Sequence, residues 1–406
     1  MDRNIYDWLK KYTASKLAAG GALRRRVWVL LSVLVIFGAA DGLGQTTHTW
    51  TGGGGKGNQK WSKKDNWSDE GAPANKSTNS FVFSGSAGEF APDNDRSHLS
   101  AASIVFAAKA ATNAQSYDLV GNGLGLLGGV TNLSARGHTL SLDLILDAPK
   151  VEISTMEGNL TLAGAVSGEG SLVKAGAATL VLSGSNRFGG SLVVDCGVLD
   201  LASRSGAAAG SVSSVSVSQG ATLLLSRDNQ VNDAAAVTLS GGTIWRSGGV
   251  GEVFGNLHVT APSLVDFGTG APGTLSFGTY TPDVLLSVGN FVPGNILTFQ
   301  QDLSGSINNQ SLFLFDHGFT AAWGGSTFVI TAIPEPSAFI AAGVLIVIMS
   351  WPSRRLMVRD FKRIVGLRTT GSRRSQARYR GHSCPTAGGD KGSNGPPRHP
   401  AEVAPR

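Results

Sequence analysis

Cysteine is almost missing from this chain. Cys196 and Cys384 are the only two among 406 residues, too few for a disulfide framework or a thiolate metal cluster. One sits in a strand-rich repeat and the other in a basic tail, which argues against their pairing and makes Cys196 a small buried hydrophobe. Charge is scarce too. Asp, Glu, Lys and Arg make up 15% of the sequence, against about 25% in ordinary soluble domains. Ser, Thr, Gly and Asn take their place, as on the surfaces of exported β-proteins. Between residues 46 and 330 there is no eleven-residue helical pattern. The seven histidines are scattered, with no His-Glu-x-x-His. No Gly-x-Ser-x-Gly nucleophile elbow occurs, and the glycine run Gly52–Gly55 lacks the Lys-Ser/Thr of a phosphate loop.

What charge there is lies at the ends. Residues 1–26 carry seven Lys/Arg against two acids, and residues 353–406 carry thirteen against three, out of a net +6 for the whole. The body between them is therefore acidic, which speaks against a nucleic-acid partner. After Arg24-Arg25-Arg26 comes VWVLLSVLVIF and then small residues. A basic flank, a short apolar run and small residues are the pattern of a signal helix, with cleavage after Ala40 or Gly44. Near the other end, Ala338–Trp351 is apolar and meets Arg354 and Arg355. That order of signal, body, apolar stop and arginines predicts one transmembrane helix, with residues 338–352 in the membrane and the body outside. Beyond it the tail is Arg-, Gly-, Ser- and Pro-rich and should not fold.

The body is built of short apolar triplets cut apart by Gly, Ser and Asn. TLSL at 139–142, NLTL at 159–162, TLVL at 179–182 and VLDL at 198–201 recur at offsets of 20, 20 and 19, with SLVV at 191–194 between the last two. Looser copies follow at 214–217, 222–225 and 236–240. A period near twenty with two or three strands per turn predicts a parallel β-helix, or β-solenoid, whose strands alternate inward and outward positions. Such a coil exposes apolar surface at its ends and needs caps. Trp50, Trp61 and Trp67 supply one, rather than a sugar-stacking platform. The Phe-rich stretch after Trp245, ending with Trp323, supplies the other. Asp93, Asn94 and Asp95 read as an Asx-rich turn, since an EF-hand would need a following Gly and Glu.

Two resemblances now apply. GSLVKAGAATLVLSGSNRFGGSLVV resembles the autotransporter-associated β-strand repeat at Gly170, Leu172, Lys174, Gly176, Thr179, Leu180, Leu182, Ser183, Gly184, Asn186, Phe188, Gly190 and Val194, with Ala178 in place of a glycine. The segment Pro334-Glu335-Pro336, the apolar run and the Arg354-Arg355 stop resemble the PEP-CTERM sorting signal read by exosortases in Gram-negative bacteria. Members of that family end soon after the arginines, and this chain departs by running on to residue 406. The two prolines keep Glu335 out of a helix, in an extended form that a membrane protease can bind. The resemblance implies an exosortase-type membrane protease as partner and removal of the anchor.

The expected fold is thus all-β, a parallel β-solenoid with aromatic-rich end caps, an N-terminal signal helix and one C-terminal transmembrane helix. The expected segments are a signal peptide at 1–44, cap and first coils at 45–138, the repeat at 139–245, closing coils at 246–332, the sorting signal at 333–355 and the basic tail at 356–406. A polysaccharide-active enzyme on such a coil would need clustered carboxylates on adjacent rungs. Asp143, Asp195 and Asp200 stand at comparable offsets, but the coil at 179–182 offers no acid. The functional expectation is a non-enzymatic surface or matrix protein with no cofactor or metal. It would contact exopolysaccharide, and the alternatives are a carbohydrate-binding adhesin and, behind it, a β-helix polysaccharide-active enzyme.

Overall fold

Alternating inward Leu, Val and Ile at every second position, with glycine where the chain must turn, winds this sequence into a parallel β-solenoid. The structure, a computed structural model, describes residues 45–55, 57–68, 71–84, 90–107, 115–307 and 312–333. The expected signal and transmembrane helices lie outside the described residues. Among those described, the helical pieces are Lys64–Asn66 and Ser304–Ile307, and no helix is long and apolar enough to cross a membrane.

Strands stack into three sheets of 14, 11 and 5 strands. One full turn takes Val166–Gly168, then Ser171–Ala175 in the first sheet, then Thr179–Leu182 in the second. In the second sheet the inward column runs Leu160, Leu180, Leu199, Leu223, Ile244, Val265, Val288, each paired in parallel with the next. In the first it runs Val151, Leu172, Leu192, Val215, Val237, Leu257. All of these side chains are buried in one continuous core. Each contributes about 1.5–3 kcal/mol by leaving water.

One register departs from the motif spacing. The motif spacing set Leu140 beside Leu160, but Leu140 pairs with Leu162, and His138 takes the place beside Leu160. A shift of two residues keeps the same face inward, so the apolar pattern alone does not resolve it. His138 fills that inward place by stacking on Phe106 (4.2 Å, 10°) and accepting the Tyr117 N–H at 3.0 Å. Burial lowers its pKa to about 4, which keeps the ring neutral.

The ends close differently. Trp50, Trp61 and Trp67 are 0–2% exposed and meet edge-to-face, with Trp67 Nε1 donating to Trp61 O at 2.9 Å. The segment around Trp67 runs antiparallel along the first strand, Thr46–Trp50, and covers its edge. These rings are core and offer no stacking surface. At the far end the last parallel strand of the third sheet, Ile296–Phe299, is closed by a hairpin of Phe319–Trp323 and Phe328–Ala332 in antiparallel pairing. Phe254, Phe277 and Phe299 stack beneath it. Trp323, expected to cover the last rung, is 36% exposed on the hairpin's outer strand.

Strands satisfy their backbones through the ladder, but corners cannot. At the corner between the first and second sheets, buried side chains do it instead. Asn132 Nδ2 donates to Gly158 O and Asn159 O (2.9 and 3.1 Å), and Thr155 Oγ1 donates to Ala178 O (2.8 Å). Lys174 Nζ donates to Ala175 O, Gly176 O and Cys196 O at 2.7–2.8 Å, tying one turn to the next. Burial pulls this ammonium down to about 7, and the three carbonyls act against that shift. Gly176 and Gly197 sit at equivalent corners with φ of 79° and 69°. A Cβ on Gly176 would come within 2.2 Å of Thr155 O, so no other residue fits. Cys196 is buried, as expected, and Cys384 lies outside the described residues.

Replacing the corner ammonium tests this account. Lys174→Met keeps the apolar stem and orphans three carbonyls, so urea unfolding should show a loss of about 2–4 kcal/mol. An unchanged midpoint would contradict a structural role for Lys174.

Candidate functional site on the second polar corner

The corner that follows the second sheet carries the other polar ladder. Asn186 accepts the Val166 N–H (2.8 Å) and donates to Ala208 O (2.7 Å). Gln230 accepts the Ser203 N–H (2.8 Å) and donates to Asp228 O (2.9 Å). Glu252 accepts the Gln230 and Val231 N–H groups at 2.6 and 3.2 Å. Arg246 donates to Val250 O at 3.3 Å and to Asn295 Oδ1, with its guanidinium 4.9 Å from the Phe267 ring. All five ladder residues, Asn295 included, are no more than 2% exposed.

Outside this ladder the corner loops bulge and leave a groove. A concavity of about 620 Å³ is lined by Ser203, Arg204, Arg227, Asp228, Asn229 and Gln230 among others. A smaller one, about 260 Å³, shares Asp228 and Asn229 and continues over Glu252, Thr274 and Ser276. Such volumes match or approach those of small-ligand sites. Asp228 Oδ1 accepts the Gly251 N–H at 2.6 Å, and Asn229 holds a left-handed φ of 51° that turns the loop. The outward column of the second sheet runs Val181, Asp200, Leu224, Trp245, Asp266. Trp245 is 44% exposed there.

Pro334, Glu335, Pro336, Arg354 and Arg355, the residues of the expected sorting signal, lie outside the described residues. The acids singled out from the sequence are not brought together. Asp143 caps the Ala165 N–H (2.8 Å). Asp195 accepts from Ser218 Oγ at a different corner (3.1 Å), and Asp200 faces outward in mid-strand, its pKa raised by burial. Asp95 binds the backbone N–H (2.9 Å) and hydroxyl (2.6 Å) of Ser62, fastening the cap to the first coils. No group of three His, Cys, Asp or Glu among the described residues is placed to hold a metal. Arg246 and Glu252 went unnoticed in the sequence, although the alternation in TIWR already points Trp245 out and Arg246 in.

Fold and corner together define an all-β parallel solenoid with a polar groove along one edge. Over 183 residues the chain is 32% identical to a protein named adhesin BmaC autotransporter, from Brucella suis biovar 1 (strain 1330). The match takes in 45% of this chain and 5% of that adhesin, so the chain spans a small part of its relative's length. The chain is thus distantly related, over part of its length, to an autotransporter adhesin. No family model matches it, and neither does any solved structure.

Glu252 makes the corner pH-sensitive. Burial pushes its carboxyl up from 4.5 to about 7, against the backbone N–H groups that favour the charge. The folded state therefore holds this proton more tightly than the unfolded chain. The stability it contributes is fully present below pH 4.5 and is lost as pH rises through about 7. Urea unfolding at pH 5 and pH 8 should differ by roughly 2–3 kcal/mol more in the wild type than in Glu252→Gln. Equal slopes in the two proteins would count against a buried, protonated Glu252.

Proposed function

We propose that this chain is a non-enzymatic exported surface or matrix protein. Its solenoid is a rigid scaffold, and its C-terminal anchor is exchanged by an exosortase-type membrane protease at Pro334-Glu335-Pro336. The observation that carries this reading is the stack of parallel rungs in which buried Asn132, Lys174, Asn186, Gln230, Glu252 and Arg246 bond to the backbone at the corners. The outer face of the first sheet supports it, being dressed with hydroxyls such as Ser171, Ser191 and Ser214, which bond from rung to rung. The partial likeness to an autotransporter adhesin supports an exported location. Residues 338–352 would hold the chain in the membrane before transfer, and Arg354 and Arg355 would mark the inner side.

The likeness to an adhesin and the polar groove at Arg204 and Arg227 favour one second reading, a carbohydrate-binding surface protein. It shares the same exported scaffold and adds a ligand, with exopolysaccharide as the partner.

Mass spectrometry of the protein from cells with an active exosortase should find a C-terminus near Pro336 and no peptide from the 338–406 region. Glu335→Ala should restore those peptides. A wild-type chain intact to Arg406 would overturn the sorting proposal.

A further inference from the structure

The distribution of cations on the coil is uneven in a way the fold does not require. From Lys174 to residue 333 the chain holds three further basic residues besides Arg246: Arg187, Arg204 and Arg227. Arg246 is buried and bonded within the corner ladder. The other three are exposed, and two of them, Arg204 and Arg227, stand on adjacent turns. Ala209 and Val231 bridge in parallel on adjacent turns, which puts Arg204 and Arg227 at nearly equivalent places, five and four residues before that bridge. Both line the 620 Å³ groove.

Their surroundings leave them open to a ligand. Among the described residues neither Arg204 nor Arg227 makes an ion pair or a side-chain hydrogen bond, and the acids nearby are already engaged. Asp228 Oδ1 is taken by the Gly251 N–H and Glu252 by two backbone N–H groups. Burial moreover holds Glu252 toward its neutral form. The groove therefore presents two planar guanidinium forks above a neutral polar floor, in which Asn229 is exposed and the buried Gln230 amide is already bonded to Ser203 N–H and Asp228 O. Guanidinium forks suit carboxylate or sulfate groups, and the neutral polar floor suits hydroxyls. On an otherwise acidic body, two such forks on adjacent turns match a polymer that bears anions at intervals.

We propose that the groove at Arg204 and Arg227 binds an acidic polysaccharide, with each arginine pairing a carboxylate or sulfate of the sugar chain. This deepens the carbohydrate-binding reading of the chain and rests on it. It is tested on purified protein, so it stands or falls independently of sorting.

The probe is trigalacturonic acid, titrated calorimetrically into the full chain at 0.15 M salt, with maltotriose as the uncharged comparison. Binding should be measurable for the acidic trisaccharide alone. It should weaken at least tenfold in Arg204→Ala/Arg227→Ala, with an unchanged unfolding midpoint, and recover only partly in Arg204→Lys/Arg227→Lys, which keeps the charge and loses the fork. Because the C-terminal tail is itself basic, Arg354→Ala/Arg355→Ala serves as the charge-matched control and should bind like the wild type. Three results would overturn the proposal: no binding of the acidic trisaccharide, an equal loss in the tail variant, or binding of maltotriose that disappears in Trp245→Ala.

Discussion

Everything in this coil depends on satisfying the carbonyls and N–H groups where the chain turns. A parallel rung hands its backbone bonds to the rungs above and below, but at each corner the ladder is interrupted inside a dry core. The protein answers with buried polar side chains that reach across turns. Lys174 grips three carbonyls from two turns, and Asn132 grips carbonyls of the following loop. Along the other corner Asn186 and Arg246 donate to carbonyls, and Gln230 and Glu252 accept from backbone N–H groups. Leaving any one of these groups without a partner costs about 1–3 kcal/mol, comparable to burying a whole leucine. The apolar columns supply the driving force for coiling. The polar corners decide where each turn is made.

That division of labour bears on function. Once inward positions hold the core and corner residues hold the turns, outward positions and loop tips are free to vary at little cost to stability. A surface rod benefits from this arrangement, since its length is set by the number of turns and its contacts by whatever the outer positions carry. Its two ends need separate treatment, because they alone leave strand edges. One is sealed by the Trp67 segment and buried indoles, the other by an antiparallel hairpin. The groove at Arg204 and Arg227 belongs to the variable part, lying outside a ladder that would stand without it.

Much of the fold was legible in the sequence because period-two alternation and turn glycines act locally. The columns through Leu160, Leu180 and Leu199 could be drawn from spacing alone. What spacing could not give was the register at His138, since a two-residue slip preserves the inward face and only the stack on Phe106 decides between the alternatives. Nor could it give the closing hairpin, because its strands look like any other strands until they reverse. The candidate groove was hidden for a different reason. Arg204 and Arg227 lie in loops of unequal length and Glu252 in a two-residue strand, so no fixed offset links them. Arg246 was readable by parity, had its inward place in TIWR been followed to its consequence.

The most direct measurement of this account is a set of distances along the outward column of the second sheet. Spin labels at Thr161 paired in turn with Leu224, Trp245 and Asp266 sit on successive turns of one ladder. If the chain is a regular parallel coil, the separation grows by about 4.8 Å with each further turn. Separations that fail to grow in step, or that shrink between Leu224 and Asp266, would contradict the solenoid and every placement that rests on it.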